Sequence, residues 1–311
     1  MGPNKGHNAA GAAGTHEAPA APAVVYEDEW LLAADKPAGL IVHGDGTGTV
    51  TLTDAVRAHL EREGRDEAAA QLQAVQRLDA DTTGLVLFCL DKAVQPRLDA
   101  LVASHDGIEK RYLAIVRGEV PEGLSVIDAA LARDRHDARR MRVDARVGKP
   151  SRTHVRVLDV AGPRRVRLSL LELTLETGRK HQIRVHLASR GYPILGDALY
   201  GVPADRSGRA PLMLHAASEA LAHPVTGKRL ELAVPYPERY SVFFRASLQL
   251  LRCIRLPRHL RAKVPRCAGA GTRRARRRAW GCRALRGPMG MGQPSRRGHP
   301  CLEPCVACTR T

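Results

Sequence analysis

The stretch from Gly84 to Leu90, GLVLFCL, holds seven residues without a charge, closely bounded by polar residues at Thr83 and Asp91. A run this short and apolar reads as a buried strand, and a chain containing it must build a sheet inside its core. A second segment carries the same constraint. Val166, Leu168 and Leu170 alternate, then the phase slips to Leu171, Leu173 and Leu175. Such a slip marks either a β-bulge or a strand buried on both faces. Trp30 to Ala34, Leu40 to Val42, Lys110 to Val116 and Thr153 to Val157 also read as strand-like, with Lys36-Pro37-Ala38-Gly39 as a turn between the first two.

Helical periodicity lies between these runs. Thr53 to Glu63 reads as a helix capped by Thr53, with Val56 and Leu60 on one face. His181 to Arg190 reads as another, with Ile183 and Leu187 sharing a face, Arg184 on a different one, and Gly191 just past the C-cap. The result is a mixed α and β chain, with no internal repeat and no helical-bundle pattern.

Composition divides the chain. Met1 to about Pro22 is rich in Gly, Ala and Pro without apolar periodicity, and is expected to be disordered. Alternating apolar runs extend from residue 23 to Tyr240, which marks out one catalytic domain. Residues 241–311 hold 17 Lys and Arg against a single acid, Glu303, and so carry +16 of the formal +17. That tail is expected to be unstructured. Its charge therefore says little about the domain before it. The useful local charge is Arg133 to Arg156, with nine Lys and Arg against three Asp: either a track for a phosphate backbone or a solvated arginine-rich surface.

Six of the seven cysteines lie in the tail, and Cys301-x3-Cys305-x2-Cys308 lacks the further ligands of a clean metal set. Cys89 sits alone in the apolar run. No segment approaches the roughly 18 apolar residues of a spanning helix. A soluble cytoplasmic protein without a membrane role is the expectation.

The stretch that carries chemistry is Val75-Gln76-Arg77-Leu78-Asp79-Ala80-Asp81-Thr82-Thr83-Gly84. In extended chain Arg77 and Asp79 share a face, with Leu78 turned into the core. On spacing alone this is either a functional pair in a cleft or a surface ion pair at the start of a strand. The wording decides more: RLDADTTG closely resembles the RLDxxTSG signature of the RluA-type RNA pseudouridine synthases. Asp35 to His43 (DKPAGLIVH) is similar to that family's DKPxGLxVH, and Lys110 to Gly118 (KRYLAIVRG) to its KxYxAxVxG strand. Gly148 to Thr153 (GKPSRT) resembles its GKxxxT, and Thr177 to Leu187 (TGRKHQIRVHL) its TGRxHQIRVH helix. Gly196-Asp197, Tyr200-Gly201, Leu214-His215-Ala216 and His223-Pro224 follow in order, so the matches span residues 26 to 240.

The resemblance implies an α+β pseudouridine synthase fold: a large, mixed, mostly antiparallel sheet with flanking helices and a central RNA-binding cleft. It implies Asp79 as the active carboxylate, Arg184 beside it keeping it ionised, and Tyr112 stacked on the target uracil as acceptor of the carbon 5 proton. Arg77 would fill the space left by a flipped-out base, and RNA contact would extend to Thr82, Thr83, Lys149, Arg179 and His181. No cofactor or metal is implied. The implied partner is structured RNA, a tRNA or rRNA stem-loop, with the protein a monomer. Two departures stand out: Gln76 where many relatives have His, and Thr83 in place of Ser. Both keep a hydrogen-bonding side chain, so tolerance is expected, with Gln76 bearing on the fit to RNA.

Two other classes fit parts of the same sequence less well. A glycoside hydrolase would pair Asp79 with Asp81, but only 4% of residues are aromatic, too few for a sugar platform. A catalytically inactive RNA-binding protein of the same fold would have little reason to keep Asp79, Tyr112 and Arg184 together.

Overall fold

The computed structural model describes residues 21–44, 48–104, 107–206, 210–245 and 247–248. Residues 1–20, expected to be disordered, the arginine run of the tail and the Cys301–Cys308 cluster lie outside the described residues. The elements are, in order, β1 (Ala23–Glu27), β2 (Leu31–Lys36), α1 (Leu52–Arg62), α2 (Asp66–Gln71), β3 (Gln73–Ala74), β4 (Thr83–Cys89), α3 (Gln95–Ala103) and β5 (Ile108–Arg117). They continue with β6 (Val126–Asp128), β7 (Leu131–Arg133), β8 (Met141–Val143), β9 (Arg152–Ala161), β10 (Leu168–Leu175), α4 (Gln182–Ser189), β11 (Leu214–Ala222) and β12 (Arg229–Ala233).

Ten of these strands form one mixed sheet, with spatial order β1-β2-β4-β11-β5-β10-β9-β6, β12 pairing with β11 and β3 with β4. Every pairing is antiparallel except β4 with β11, where His215 faces Thr83 and Ala216 faces Gly84 in parallel. β7 and β8 form a separate hairpin. This is the α+β class expected.

The GLVLFCL run earns its uninterrupted apolar character by being covered on both faces. Val86, Phe88 and Leu90 pack with α1 residues Leu52, Val56 and Leu60. Leu85, Leu87 and Cys89 pack on the opposite side with Val94 and with Leu98 of α3. The phase slip at Leu170 and Leu171 has both of its anticipated causes. β10 is buried from Leu168 through Leu173. Its register to β9 also breaks there, Leu170 facing Asp159 and Leu171 facing Val157, so Leu158 is the extra residue and the bulge lies in β9.

Three expectations are corrected. Helix α1 is capped by Thr51, not Thr53: the Thr51 hydroxyl accepts from the Asp54 amide while Asp54 accepts from the Thr51 amide, a reciprocal capping box. Thr53 is instead buried, donating to the Val42 carbonyl at 2.6 Å. Leu40 to Val42 is not a strand; its carbonyls are taken up by Lys36, Leu52 and Thr53. The folded chain also continues past Tyr240. Residues 241–245 and 247–248 are helical, and Tyr240, Phe244 and Leu248, spaced four apart, are all buried in the core built on β5 and β10. The basic tail masked this short apolar face.

Candidate active site

Asp79 lies on the loop between β3 and β4. The loop is pinned from several sides: Leu78 packs into two core clusters, the Thr82 amide donates to the Asp79 carbonyl at 3.1 Å, and the Ala80 carbonyl accepts from the Gly39 amide at 2.9 Å. Lys36 completes the clamp. It is fully buried, and its ammonium donates to the carbonyls of Pro37 (2.9 Å), Leu40 (2.6 Å) and Ala80 (2.6 Å), tying the Lys36–Gly39 turn to the residue next to Asp79.

Helix α4 supplies the opposite wall. Both of its faces are buried: Ile183 and Leu187 in the apolar core, Arg184 and His186 in polar surroundings. The Arg184 guanidinium donates Nη1 to Asp79 Oδ2 at 2.9 Å, and Nε and Nη2 to the two oxygens of Asp197, both at 2.8 Å. Asp197 also accepts the Leu199 and Tyr200 amides at 2.9 and 3.0 Å. Burial opposes the charge on Arg184, but its hydrogen bonds and attraction to Asp197, then Asp79, outweigh it and hold the guanidinium firmly ionised. Burial likewise works to raise the Asp197 carboxyl, and the Arg184 hydrogen bonds and charge pull it back below the usual carboxylate value.

Arg77, Asp79, Thr82, Tyr112, Arg179, His181 and Arg184 line one cleft, closed underneath by Leu78, Leu175, Ile183 and Leu214. Arg77 and Arg179 are its exposed cations. His181 is not inside the helix as expected but precedes it, in a left-handed conformation (φ 56°) rare for a residue with a side chain. Its Nε2 lies 3.7 Å from Asp79 Oδ1. Burial pushes the Tyr112 phenol well above its ordinary pKa, and the nearby charges of Glu219 and Asp79 push the same way.

Two residues expected at the RNA contact lie outside the cleft lining. Thr83 is buried, with its hydroxyl 2.9 Å from His215 Nδ1, and is not among the residues that line the cleft. Lys149 is exposed on the segment that pairs with Leu131 beside the hairpin, outside the cleft lining. Asp81 is exposed and outside that lining too, so it does not form a paired-carboxylate site with Asp79.

A family model described as RNA pseudouridylate synthase matches residues 31–189, which include Asp79, Tyr112 and Arg184. Ribosomal large subunit pseudouridine synthase D of Nitrosomonas europaea is 38% identical over 246 residues, covering 76% of this chain and 68% of that protein. The chain belongs to the RluA-type RNA pseudouridine synthase family.

Its activity is accordingly the isomerisation of uridine in RNA to pseudouridine. tRNA pseudouridine synthase C of Yersinia pestis is 35% identical over 235 residues, 70% of this chain and 88% of that protein. Among solved structures, human RNA pseudouridylate synthase domain containing 1 superposes with a TM-score of 0.57 at 25% identity, over 76% of this chain and 96% of that one.

Three residues of this synthase's site escaped sequence reasoning in their roles: Lys36, Asp197 and Tyr200. All three fall within the motif segments, yet their contacts reach across the fold to partners that spacing does not reveal. Lys36 has a measurable consequence. Burial pushes it down to about 8 against the pull of Asp81, Asp79 and Asp35, whereas an unfolded lysine titrates near ~10.4. Between those values the unfolded chain holds the extra proton, so this group's cost to folding is full below pH ~8 and fades as the pH rises towards ~10.4. Lys36→Met removes that dependence. The difference in urea unfolding free energy between wild type and variant is expected to shift in favour of wild type from pH 8 to pH 10; a difference independent of pH would contradict this.

Proposed function

We propose that the synthase acts on a uridine in a structured tRNA or rRNA segment, flipped into the cleft, with Asp79 as the carboxylate that works at ribose carbon 1′. The observation that carries this reading is the division of Arg184: one edge is locked on buried Asp197, leaving a single nitrogen to hold Asp79, whose carboxylate is partly open to the cleft. A guanidinium fixed in this way presents a positive charge to Asp79 and keeps it aimed without moving during the reaction.

In the isomerisation the bond from carbon 1′ to N1 breaks and a bond from carbon 1′ to carbon 5 forms. Carbon 5 loses a proton and N1 gains one, so no electrons are gained or lost overall. Tyr112, set in the cleft wall, offers its ring to the uracil. Held as a neutral phenol whose charge state Asp79 influences, it accepts the carbon 5 proton only as its own proton leaves, and that proton is delivered in turn to N1, so that Tyr112 and Asp79 both end as they began. Arg77 occupies the gap left by the extruded base, Arg179 and His181 approach the backbone from the far rim, and Thr82 borders the base.

The Arg133–Arg156 segment supports the choice of a folded RNA. Its three Asp residues accept turn amides, Asp134 from His136, Asp137 from Arg139 and Asp144 from Arg146, while Asp137 and Asp144 also pair with the guanidiniums of Arg139 and Arg142. Arg133, Arg135, Arg139, Arg146 and Lys149 stand exposed on the same stretch, a basic surface suited to a phosphate backbone. The names of the Nitrosomonas and Yersinia relatives point to ribosomal and transfer RNA respectively. We further read the protein as a cytoplasmic monomer, with one catalytic domain from about residue 23. Incubating it separately with tRNA and rRNA fractions tritiated at uracil carbon 5 tests the substrate class. Release from one fraction names it, and release from neither rejects it.

A further inference from the structure

We propose that Tyr200 fixes His181 as a second orienting partner of Asp79, joining the basic hairpin β7–β8 to the carboxylate through one polar chain. The proposal rests on reading Asp79 as the working carboxylate. It gives His181 and Tyr200 positioning roles beyond contact with RNA.

The chain begins in the hairpin, where the Met141 amide donates to the Tyr200 phenol oxygen at 2.8 Å. The same oxygen lies 2.8 Å from His181 Nδ1, and the other ring nitrogen, Nε2, lies 3.7 Å from Asp79 Oδ1. Arg184 occupies the opposite oxygen, Oδ2. Because the phenol oxygen already accepts from Met141, its own O–H is free to donate to Nδ1. Burial, reinforced by the charges of Arg184 and Lys180 and opposed by Asp79, keeps the imidazole neutral. Its one proton then sits on Nε2, facing Asp79. At 3.7 Å the pair is longer than a hydrogen bond, and a small turn of the carboxylate closes it.

Two further observations say that this geometry is held. Tyr200 is wedged between cations, with Arg140 5.2 Å and Arg184 5.3 Å from its ring centre, and it meets the His181 ring edge-on at 5.6 Å. His181 also keeps its left-handed backbone (φ 56°), a conformation that persists only where surrounding contacts enforce it. The hairpin that carries the exposed arginines is therefore bonded to the residue that sets the histidine. Displacement of Met141 by a bound RNA would be felt at Asp79.

The test combines kinetics and spectroscopy. Tyr200→Phe, His181→Asn and the double variant are compared in single-turnover tritium release from total cellular RNA labelled at uracil carbon 5. Asn is chosen because it tolerates a left-handed backbone. Tyr200→Phe is expected to lose about tenfold in rate with RNA affinity nearly unchanged, His181→Asn to lose at least as much in rate, and the double variant to lose no more than His181→Asn alone, since Tyr200 acts through His181. Full rate in Tyr200→Phe, or losses that multiply, would overturn the proposal. Nitrogen-15 NMR of the wild-type histidines reads the tautomer whether or not RNA turns over. The Nε2–H form is expected at His181, giving way to a mixture in Tyr200→Phe, and an Nδ1–H form in the wild type would refute the assignment. Wild type that releases no tritium from any RNA would instead reject the reading of Asp79 itself.

Discussion

Arg184→Met should abolish turnover, by at least about a thousandfold, and lower stability by roughly 3–5 kcal/mol. Both effects come from one side chain. Asp197 is wholly buried and receives two of its charged bonds from Arg184, so removing the guanidinium leaves an unpaired buried carboxylate beside Asp79. Asp79 loses its 2.9 Å partner at the same time and is free to turn away. Arg184→Lys is a sharper version of the test. A single ammonium cannot span Asp197 bidentately and reach Asp79 as well. The lysine variant should therefore recover part of the stability while turnover remains lost. Denaturant midpoints and single-turnover rates on the same preparations check both statements; a lysine variant with near wild-type turnover would show that the fork geometry is unnecessary.

Gly84→Ala is expected to give no stable fold, a loss above about 4 kcal/mol. Gly84 has φ +113°, and a Cβ there would lie 2.2 Å from the Ala216 carbonyl oxygen and 2.7 Å from the Ala216 nitrogen. Those atoms are backbone in β11, the strand that meets β4 in parallel on one side and β5, with Tyr112, on the other. Nothing can move aside without separating the central strands and shifting the cleft. Gly39 is the control. It too has positive φ (+83°), but a Cβ would meet nothing within 4 Å, so Gly39→Ala should cost only about 1 kcal/mol of backbone strain. Thermal melts of the two variants should differ accordingly, and equal melting temperatures would contradict the packing argument.

The glycine example also shows why the motif sequence was readable. RLDADTTG ends on a residue that sterics require, and its Leu78 and Asp79 sit between an apolar core and a charged partner, so each letter answers a local demand. The buried β4 run and the slip at Leu170 were legible for the same reason, since burial writes itself directly into residue type. Long-range selections were less visible. Thr51 and Thr53 both fit a helix cap, and only the reciprocal bonds with Asp54 choose Thr51. The helix after Tyr240 carries its apolar face in a segment whose arginines dominate the composition. Arg184 and Asp79 are 105 residues apart, and family resemblance, not periodicity, brought them together. Asp197 and Tyr200 stand in the sequence as letters of a motif, and only the path of the loop after α4 assigns their partners. Lys149 and Thr83 illustrate the converse, as neighbours in a motif need not face the cleft.

The central claim is that Asp79 carries the isomerisation. Its most direct test is tritium release from total RNA labelled at uracil carbon 5, comparing wild type with Asp79→Asn, a change that removes the charge and keeps the shape. Release by the wild type, with none above background from an equally folded Asp79→Asn, is the predicted result. Release by both at similar rates would contradict the assignment of Asp79, and absence of release from a well-folded wild type would leave a non-catalytic RNA-binding protein as the better account.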